Sequence, residues 1–199
     1  CGGPSDDMGA RTGLRRLYPD PTHPRKRRAH AITDFVRKMD RCGQREGRAA
    51  QSAPMLRLLH TADWQIGRQF ATLSPDNAPL LAEARLGAVE RLAALATRER
   101  VDAVLVAGDV FDAQTVSERT VRRLFNALAG FDGPWLLLPG NHDAALADSV
   151  WTRARQWGAV PPQAHLVLAP ELRLFEAQGF VLLPAPLTQR HTHHDLTAW

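Results

Sequence analysis

The 199-residue sequence predicts an α/β fold built on a parallel β-sheet, and three observations support that prediction. Short apolar runs alternate with amphipathic stretches from residue 55 onward, which is the pattern of βαβ units. The run at 101–109 has almost no polar alternation, as expected for a strand covered on both faces. Polar residues also follow three successive strands, at the sheet edge where open α/β folds bind ligands.

Six strands and three helices are predicted within residues 55–183. The helices are predicted from apolar side chains that recur at three- or four-residue steps. These side chains are Leu81, Ala84, Ala88, Leu92 and Leu95 in the first helix and Val116, Thr120, Leu124 and Leu128 in the second, which Gly130 ends. The strands are expected at 55–60, 101–109, the start of 134–143, 166–168, 172–175 and 180–183, and the helices at 79–98, 115–129 and 147–157.

The composition excludes several classes of protein. The chain is 44% hydrophobic with two cysteines, so it is not collagen-like, a disulfide scaffold or wholly disordered. Charged residues and prolines interrupt its most apolar region, 166–187, so no membrane span is predicted. The first twenty residues lack the features of a secretory signal, which predicts a cytoplasmic protein. Cys1 and Cys42 lack the spacing of a metal or disulfide site.

The net charge of +4 is unevenly distributed along the chain. Residues 1–54 contain twelve Lys or Arg and six Asp or Glu, a net charge of +6, whereas the remainder contains thirteen and fifteen, a net charge of −2. Residues 1–54 lack sustained apolar periodicity, so we expect a disordered or artefactual extension, with the folded domain at 55–199 starting at Met55. The alternative is a basic nucleic-acid-binding arm whose densest cluster is 25–28.

Acidic, amide and imidazole side chains follow the first three predicted strands. They are His60, Asp63 and Gln65 after the first strand, Asp109 and Asp112 after the second, and Asn141, His142 and Asp143 after the third. Oxygen donors with imidazole suit divalent cations such as Mn, Mg or Fe. A pair of such ions can hold both the attacking and the leaving oxygen of a phosphoryl group, which predicts metal-assisted phosphoester hydrolysis.

Two glycines precede these polar residues, which suggests that the backbone turns sharply and approaches the metal ions closely. Gly108 lies before Asp109, and Gly140 lies before Asn141. Any single Asp at a strand end is also explained by helix capping or by a turn. Three polar motifs in register on successive strands are much harder to explain in that way.

The motifs resemble those of the calcineurin-like metallophosphoesterases. The resemblance rests on D-W-Q at 63–65, G-D-V-F-D at 108–112 and G-N-H-D at 140–143, and it extends over about residues 55–187. The longer run LLHTADWQIGRQF at 58–70 is similar to the opening of SbcCD-type nucleases and their DNA-repair exonuclease relatives. The resemblance implies a sandwich of two sheets flanked by helices, present here as its N-terminal portion.

The resemblance also implies a role for each site residue and a cofactor of two divalent metal ions, with Mn favoured over Mg or Fe. Asp63 would bind the first metal with Gln65, Asp109 would bridge both metals, and Asn141 would bind the second. His142 would contact the scissile phosphate and assist the leaving group, and Asp143 would orient the His142 imidazole. Asp112 and His60 would be supporting or packing residues.

Two departures from the family pattern matter. Gln65 stands where the family usually has a histidine, and an amide oxygen is a weaker and less oriented ligand than imidazole. The later G-H and G-H-x-H motifs do not occur before Trp199, so we expect a second metal site without its imidazoles. His191, His193 and His194 are interpreted as a solvated loop, because they lack the preceding glycine.

Three functions remain open from the sequence. The first is a DNA exonuclease or endonuclease, for which the resemblance implies DNA as substrate, an SbcC-like ATPase partner and a homodimer. The second is another phosphoesterase acting on nucleotides, phosphoproteins or small phosphoesters. Within this second group, Ala113 argues against the protein phosphatases, which commonly have Arg after G-D-x-x-D. The third is a non-catalytic, truncated phosphoesterase with a basic nucleic-acid-binding arm.

Overall fold

The structure is a computed structural model that describes residues 55–70 and 76–199 of the chain. The predicted order of strands and helices is confirmed in these residues, and none of the helices there is long and apolar enough to cross a bilayer. The elements are β1 (Leu58–Thr61), α1 (Asn77–Arg98), β2 (Ala103–Ala107), α2 (Glu118–Ala127), a 3₁₀ turn (Leu128–Gly130), β3 (Trp135–Leu138), α3 (Val150–Gln156), β4 (Ala164–Leu166), β5 (Arg173–Phe175) and β6 (Phe180–Leu182). The predictions for residues 1–54, including Cys1, Cys42 and the basic cluster at 25–28, lie outside the described residues.

Strands β1–β4 form one parallel sheet, in the order in which they occur along the chain. Leu58 pairs with Ala103, Val104 pairs with Trp135, and Trp135 pairs with Ala164. Strands β5 and β6 form a second, antiparallel sheet. The predicted α/β class with two sheets and helices is therefore confirmed. Because the large sheet is parallel, the carboxyl ends of β1, β2 and β3 meet at one edge.

The main core lies between one face of the parallel sheet and the helices. Val104 and Val106 of β2 belong to the same buried cluster as Val89 of α1. Trp64 joins this core from the loop after β1, where its ring packs edge-on against Trp135 at a centroid distance of 5.9 Å. Core packing of Trp64 thereby fixes the backbone next to Asp63.

The buried face of α1 agrees with the predicted one only in part, since Leu92 packs against the core but is not among the most buried residues. Its buried residues are Leu86, Val89, Ala93 and Ala96, whereas Leu81 is 40% exposed. Both sets recur at helical spacing, so periodicity alone could not separate them. The small residues are buried because a neighbouring turn comes very close: a Cβ on Gly130 would lie 3.2 Å from the Cβ of Ala93. A leucine at position 93 would overpack this contact.

Serine caps determine where α2 and α3 begin. The Ser117 hydroxyl accepts a hydrogen bond from the Thr120 N–H at 3.2 Å, so α2 begins at Glu118 and not at the predicted residue 115. Ser149 caps α3 in the same way, and that helix begins at Val150 instead of residue 147. A serine in extended conformation satisfies an N–H that the first helical turn leaves without a partner.

Candidate active site

The ends of β1, β2 and β3 meet at one open cleft of about 290 Å³. Asp63, Asp109 and Asn141 line this cleft, one from each strand end. Asp63 and Asn141 are exposed to solvent, whereas Asp109 is buried with 8% of its surface exposed. The three oxygen-bearing side chains on which the sequence analysis depended therefore lie together.

Backbone hydrogen bonds extend the β1–β2 pairing into the loops that carry these side chains. The Asp63 N–H donates to the Gly108 carbonyl at 3.1 Å, and the Gln65 N–H donates to the Asp109 carbonyl at 2.9 Å. The two loops therefore run side by side past the ends of their strands. This pairing fixes the positions of Asp63 and Asp109 relative to each other.

Two glycines allow the loops that follow β2 and β3, here called the second and third loops, to approach each other closely. Gly108 has φ +95°, and a Cβ there would lie 3.0 Å from the Cα of Gly140. A Cβ on Gly140 would lie 2.1 Å from Oδ1 of Asp109. The two glycines let the backbone approach the other glycine and a carboxylate of the site, whereas the close approach of the backbone to metal ions stays a prediction.

Strained backbone is concentrated at this cleft. Asp63, Gln65 and Asp109 have φ values of 55°, 46° and 50°, and among the described non-glycine residues the only other positive φ is at Arg100. This left-handed region costs a non-glycine residue on the order of 1 kcal/mol. The loop hydrogen bonds hold these residues there, as is common where a fold positions functional side chains.

Asp109 connects the second loop to the third. Its Oδ1 accepts a hydrogen bond from the backbone N–H of His142 at 3.0 Å. A carboxylate offers two oxygens with roughly four lone-pair sites, so this bond leaves Asp109 able to bind a cation. The central carboxylate therefore both positions the third loop and faces the cleft.

The structure corrects the role expected for Asp143. This carboxyl is completely buried, and its oxygens accept hydrogen bonds from the backbone N–H groups of Phe111 (3.0 Å) and Gly140 (2.6 Å). Burial raises the pKa of Asp143 to about 6, although those N–H groups oppose the shift. Among the described residues, Asp143 forms no hydrogen bond with the His142 ring, whose Nδ1 lies against the Asp112 carbonyl; its two oxygens instead tie the third loop to the second.

His142 is oriented by a backbone carbonyl. Its Nδ1 lies 2.8 Å from the carbonyl oxygen of Asp112. Because a carbonyl can only accept, Nδ1 carries the proton, and Nε2 is the nitrogen left for chemistry. Asp112 thus supports the site as expected, although through its backbone. His60, in contrast, is exposed on β1 and does not pack as expected.

Gln65 is engaged by a neighbouring arginine. Its Oε1 accepts a hydrogen bond from Nη1 of Arg68 at 2.5 Å. This is the only oxygen of the side chain and the atom that a metal ion would use. The structure thus places a guanidinium at the predicted ligand atom of Gln65.

The side chains lining the cleft fit a divalent cation that prefers oxygen ligands. Two carboxylates and one amide oxygen, from Asp63, Asp109 and Asn141, are the donor types that Mg²⁺ and Mn²⁺ favour. Within the described residues there is no group of three or more His, Cys, Asp or Glu that could hold a metal ion. A metal site in this cleft would therefore depend on the amide oxygen of Asn141 as well as on carboxylates.

The histidines near the end of the sequence lie apart from this cleft. His191, His193 and His194 are exposed and belong to no helix or strand, and they are not among the residues that line the cleft. The structure therefore provides no contact through which these histidines would complete the site.

One wall of the cleft was missed by the sequence analysis. Ala185 and Leu187 line it, and the Ala145 N–H donates to the Leu187 carbonyl at 2.8 Å. Pro184 and Pro186 flank this segment and are buried. The alternating prolines, which favour extended backbone, were the available signal, but they do not indicate what the segment packs against.

The parallel sheet, with its cleft at the carboxyl ends of the strands, and the comparisons with known proteins define the class of this chain as a phosphoesterase. The chain belongs to the calcineurin-like phosphoesterase family, whose model matches residues 56–195. Members of this family are hydrolytic enzymes and typically bind divalent metal ions.

The chain is also similar to a protein from Rhodobacter capsulatus that is described as one of the subunits of the nuclease SbcCD. The two are 43% identical over 95 residues. The matched segment covers 45% of this chain and 22% of that relative. The similarity therefore concerns about a fifth of the relative's length.

Proposed function

We propose that this chain is a metal-dependent phosphodiester hydrolase that acts on DNA. The observation that carries the proposal is the convergence of Asp63, Asp109 and Asn141 on one cleft, with His142 tied to the central carboxylate. Family membership supports phosphoester hydrolysis as the reaction class.

The metal ligands in this proposal come from all three loops. Asp63 would hold one divalent ion, Asn141 would hold a second, and Asp109 would contact both, with Mn²⁺ as the favoured metal. Bound ions would neutralise phosphate charge and lower the pKa of a water molecule. Asp109 suits its position because its carboxylate has acceptor sites beyond the one used by the His142 N–H.

His142 would act on the leaving group. Its Nδ1–H is held by the Asp112 carbonyl, so a protonated Nε2 can donate to the leaving oxygen as the phosphorus–oxygen bond breaks. The N–H of His142 is fixed at Asp109, which holds the imidazole near the carboxylate that would bind metal. Asp143 would contribute by holding the loop in place.

DNA is favoured over small phosphoesters by sequence similarity. The run at 58–70 resembles SbcCD-type nucleases, and the relative from Rhodobacter capsulatus is described as part of such a nuclease. On the same basis we propose a cytoplasmic protein with an SbcC-like ATPase partner, and a homodimer. We also propose 55–199 as the phosphoesterase portion and 1–54 as an extension, a division supported by the family match to 56–195.

The test uses the full 199-residue chain with MnCl₂, end-labelled linear DNA and bis(p-nitrophenyl) phosphate. We expect Mn²⁺-dependent cleavage of both substrates, and a loss of at least about 100-fold in Asp109→Ala and Asn141→Ala. Asp148→Ala is the matched control, because this carboxylate is 86% exposed and pairs only at the surface, with Arg153.

Each result separates the alternatives. Full activity in Asp109→Ala would show that the metal-ligand assignment is wrong. Hydrolysis of p-nitrophenyl phosphate or cyclic nucleotides without any attack on DNA would identify a small-phosphoester hydrolase. Absence of hydrolysis of every substrate would refute the proposal for this chain.

A further inference from the structure

The segment from Gln65 to Arg68 forms a tight turn at the edge of the candidate site. The Arg68 N–H donates to the Gln65 carbonyl at 3.3 Å, and Gly67 adopts φ +90° within the turn. Ile66 is 2% exposed and anchors the turn in the core. The Arg68 guanidinium is in turn bound to the Gln65 side chain at 2.5 Å. An exposed arginine is therefore held in place by both its backbone and its side chain.

Arg68 differs from several other arginines of the described chain in the charge of its partner, and one of them, Arg123, lines the same groove. Arg123, Arg122 and Arg153 each form an ion pair with a carboxylate. In the described part of the chain, Arg68 has no carboxylate within ion-pair distance, and its hydrogen-bond partner is a neutral amide. A neutral partner fixes the guanidinium without cancelling its charge.

Arg68 lines a groove that is separate from the candidate cleft. This groove has a volume of about 340 Å³, and Arg68, Arg123 and Thr120 contribute polar groups to its lining. Ile66 and Leu86 contribute apolar surface to the same groove. The Arg68 side chain is bonded to Gln65, whose backbone N–H is in turn bonded to the backbone carbonyl of Asp109.

We infer that Arg68, positioned by Gln65, binds a backbone phosphate next to the scissile phosphodiester of a nucleic-acid strand. Gln65 is then a positioning residue for Arg68 and not a metal ligand. A guanidinium presents several N–H donors in a rigid fork, so one can bond to Gln65 while others bond to phosphate oxygens. This inference rests on the proposed function, since it assigns to the groove lined by Arg68 the part of a polynucleotide strand that lies next to the phosphate held in the cleft.

The chemistry of position 65 supports this role. A metal ion on Oε1 would stand beside the guanidinium that already uses that atom, and two positive charges at such a distance repel each other. A glutamate at this position would pair with Arg68 and neutralise it. Glutamine is the residue of similar length that holds the guanidinium and leaves its charge available for phosphate.

The test measures nucleic-acid binding, metal binding and catalysis separately in the full chain. Arg68→Ala is expected to weaken binding of a fluorescein-labelled single-stranded oligonucleotide by about tenfold, the effect of one charge-assisted hydrogen bond. The slope of log K against log salt should fall by about 0.7, the value for one phosphate contact on a single strand. KM for the oligonucleotide should rise without a matching fall in kcat, and kinetics with bis(p-nitrophenyl) phosphate should not change.

Two substitutions of Gln65 distinguish positioning from metal ligation. Gln65→Glu supplies a stronger metal ligand but neutralises Arg68, so we expect weaker oligonucleotide binding, whereas a ligand role predicts tighter Mn²⁺ binding and undiminished cleavage. Gln65→Ala should leave Mn²⁺ affinity, measured by calorimetry with MnCl₂ alone, unchanged. Arg91→Ala, at an exposed arginine of α1, is the matched control and should leave the oligonucleotide affinity unchanged.

Each outcome decides between the roles. A loss of Mn²⁺ affinity in Gln65→Ala, with unchanged oligonucleotide binding and salt slope in Arg68→Ala, would overturn the inference. Equal losses on the oligonucleotide and on bis(p-nitrophenyl) phosphate in Arg68→Ala would also overturn it, because Arg68 would then act on the scissile group. If the wild-type chain hydrolyses neither substrate, the proposed function fails, while binding of the labelled oligonucleotide still tests Arg68.

Discussion

Gly140 faces Asp109 so closely that the carboxylate occupies the space a side chain would need. A Cβ on Gly140 would lie 2.1 Å from Oδ1 of Asp109 and 2.4 Å from its backbone nitrogen. The same Oδ1 accepts the hydrogen bond from the His142 N–H. The missing side chain of Gly140 is therefore a condition for placing the central carboxylate beside the third loop.

Gly140→Ala is expected to lower the free energy of unfolding by about 3 kcal/mol, because neither the backbone nor the buried carboxylate can move away without cost. Urea denaturation followed by tryptophan fluorescence measures the change. Gly87→Ala is the control: Gly87 lies in α1, and a Cβ there would be 3.4 Å from the end of a flexible arginine. That variant should be neutral or up to about 1 kcal/mol more stable. A Gly140→Ala protein as stable as wild type would contradict the packing described here.

Asp143→Ala is expected to destabilise the fold through the backbone N–H groups it leaves behind. Phe111 and Gly140 would lose their buried acceptor, at roughly 1–3 kcal/mol for each group. We expect a total loss of about 3 kcal/mol by urea denaturation, against less than about 0.5 kcal/mol for the exposed control Asp148→Ala. Unchanged stability with reduced activity would instead support an orienting role for Asp143 at the imidazole.

The stability of the fold should depend on pH through His165, which lies away from the cleft. Burial and the nearby Arg173 lower the pKa of His165 below its usual value. As pH falls through about 6.5, the unfolded chain takes up a proton on His165 that the folded protein resists, so the contribution of His165 to the free energy of unfolding should decrease. The decrease should continue until the pH reaches the lowered pKa of the folded protein. The raised pKa of Asp143 acts in the opposite direction over the same range, so the effect of His165 is measured as the difference between wild type and a His165 variant.

Urea denaturation at about pH 8 and about pH 5.5 measures this dependence. His165→Gln removes the titrating group, so its loss of stability between the two pH values should be smaller than that of wild type. At the higher pH, where the imidazole is neutral in both states, only the constant packing effect of the substitution should appear. His165 packs edge-on against Phe175 at 5.3 Å, so that effect is not zero. Identical pH dependence in both proteins would contradict the role of His165.

Local patterns in the sequence were sufficient to predict the elements and the convergence of the cleft. Parallel strand order follows from alternating strands and helices, and it brings Asp63, Asp109 and Asn141 to one edge without further information. The start of β4 was less predictable. The apolar run suggested 166–168, but pairing with Trp135 begins the strand at Ala164.

Features that depend on side-chain partners could not be predicted. The resemblance implied that Asp143 orients the His142 ring, but the carboxylate is buried in the core and accepts a hydrogen bond from the Phe111 N–H. The buried face of α1 likewise depends on how closely Gly130 approaches. The contacts of Asp143 and the buried face of α1 both depend on distances between segments that are far apart in sequence. Periodicity and motif spacing carry no information on such distances.

The hydrogen bond between His142 Nδ1 and the Asp112 carbonyl allows the proposed acid function to be separated from folding. His142→Asn can keep a donor near the position of Nδ1 but has nothing at the position of Nε2. His142→Gln reaches toward Nε2 but gives up the bond to the carbonyl. Neither amide can donate a proton to a leaving group as an imidazolium does.

We expect His142→Asn to lower kcat for DNA cleavage by at least about 100-fold, the contribution of a general acid, with stability within about 0.5 kcal/mol of wild type. His142→Gln should lose similar activity and about 1 kcal/mol of stability, since a hydrogen bond is missing. Both variants should lose much less activity on bis(p-nitrophenyl) phosphate, because p-nitrophenolate leaves readily without a proton. An equal loss on the two substrates would mean that His142 binds the phosphate and does not protonate the leaving oxygen.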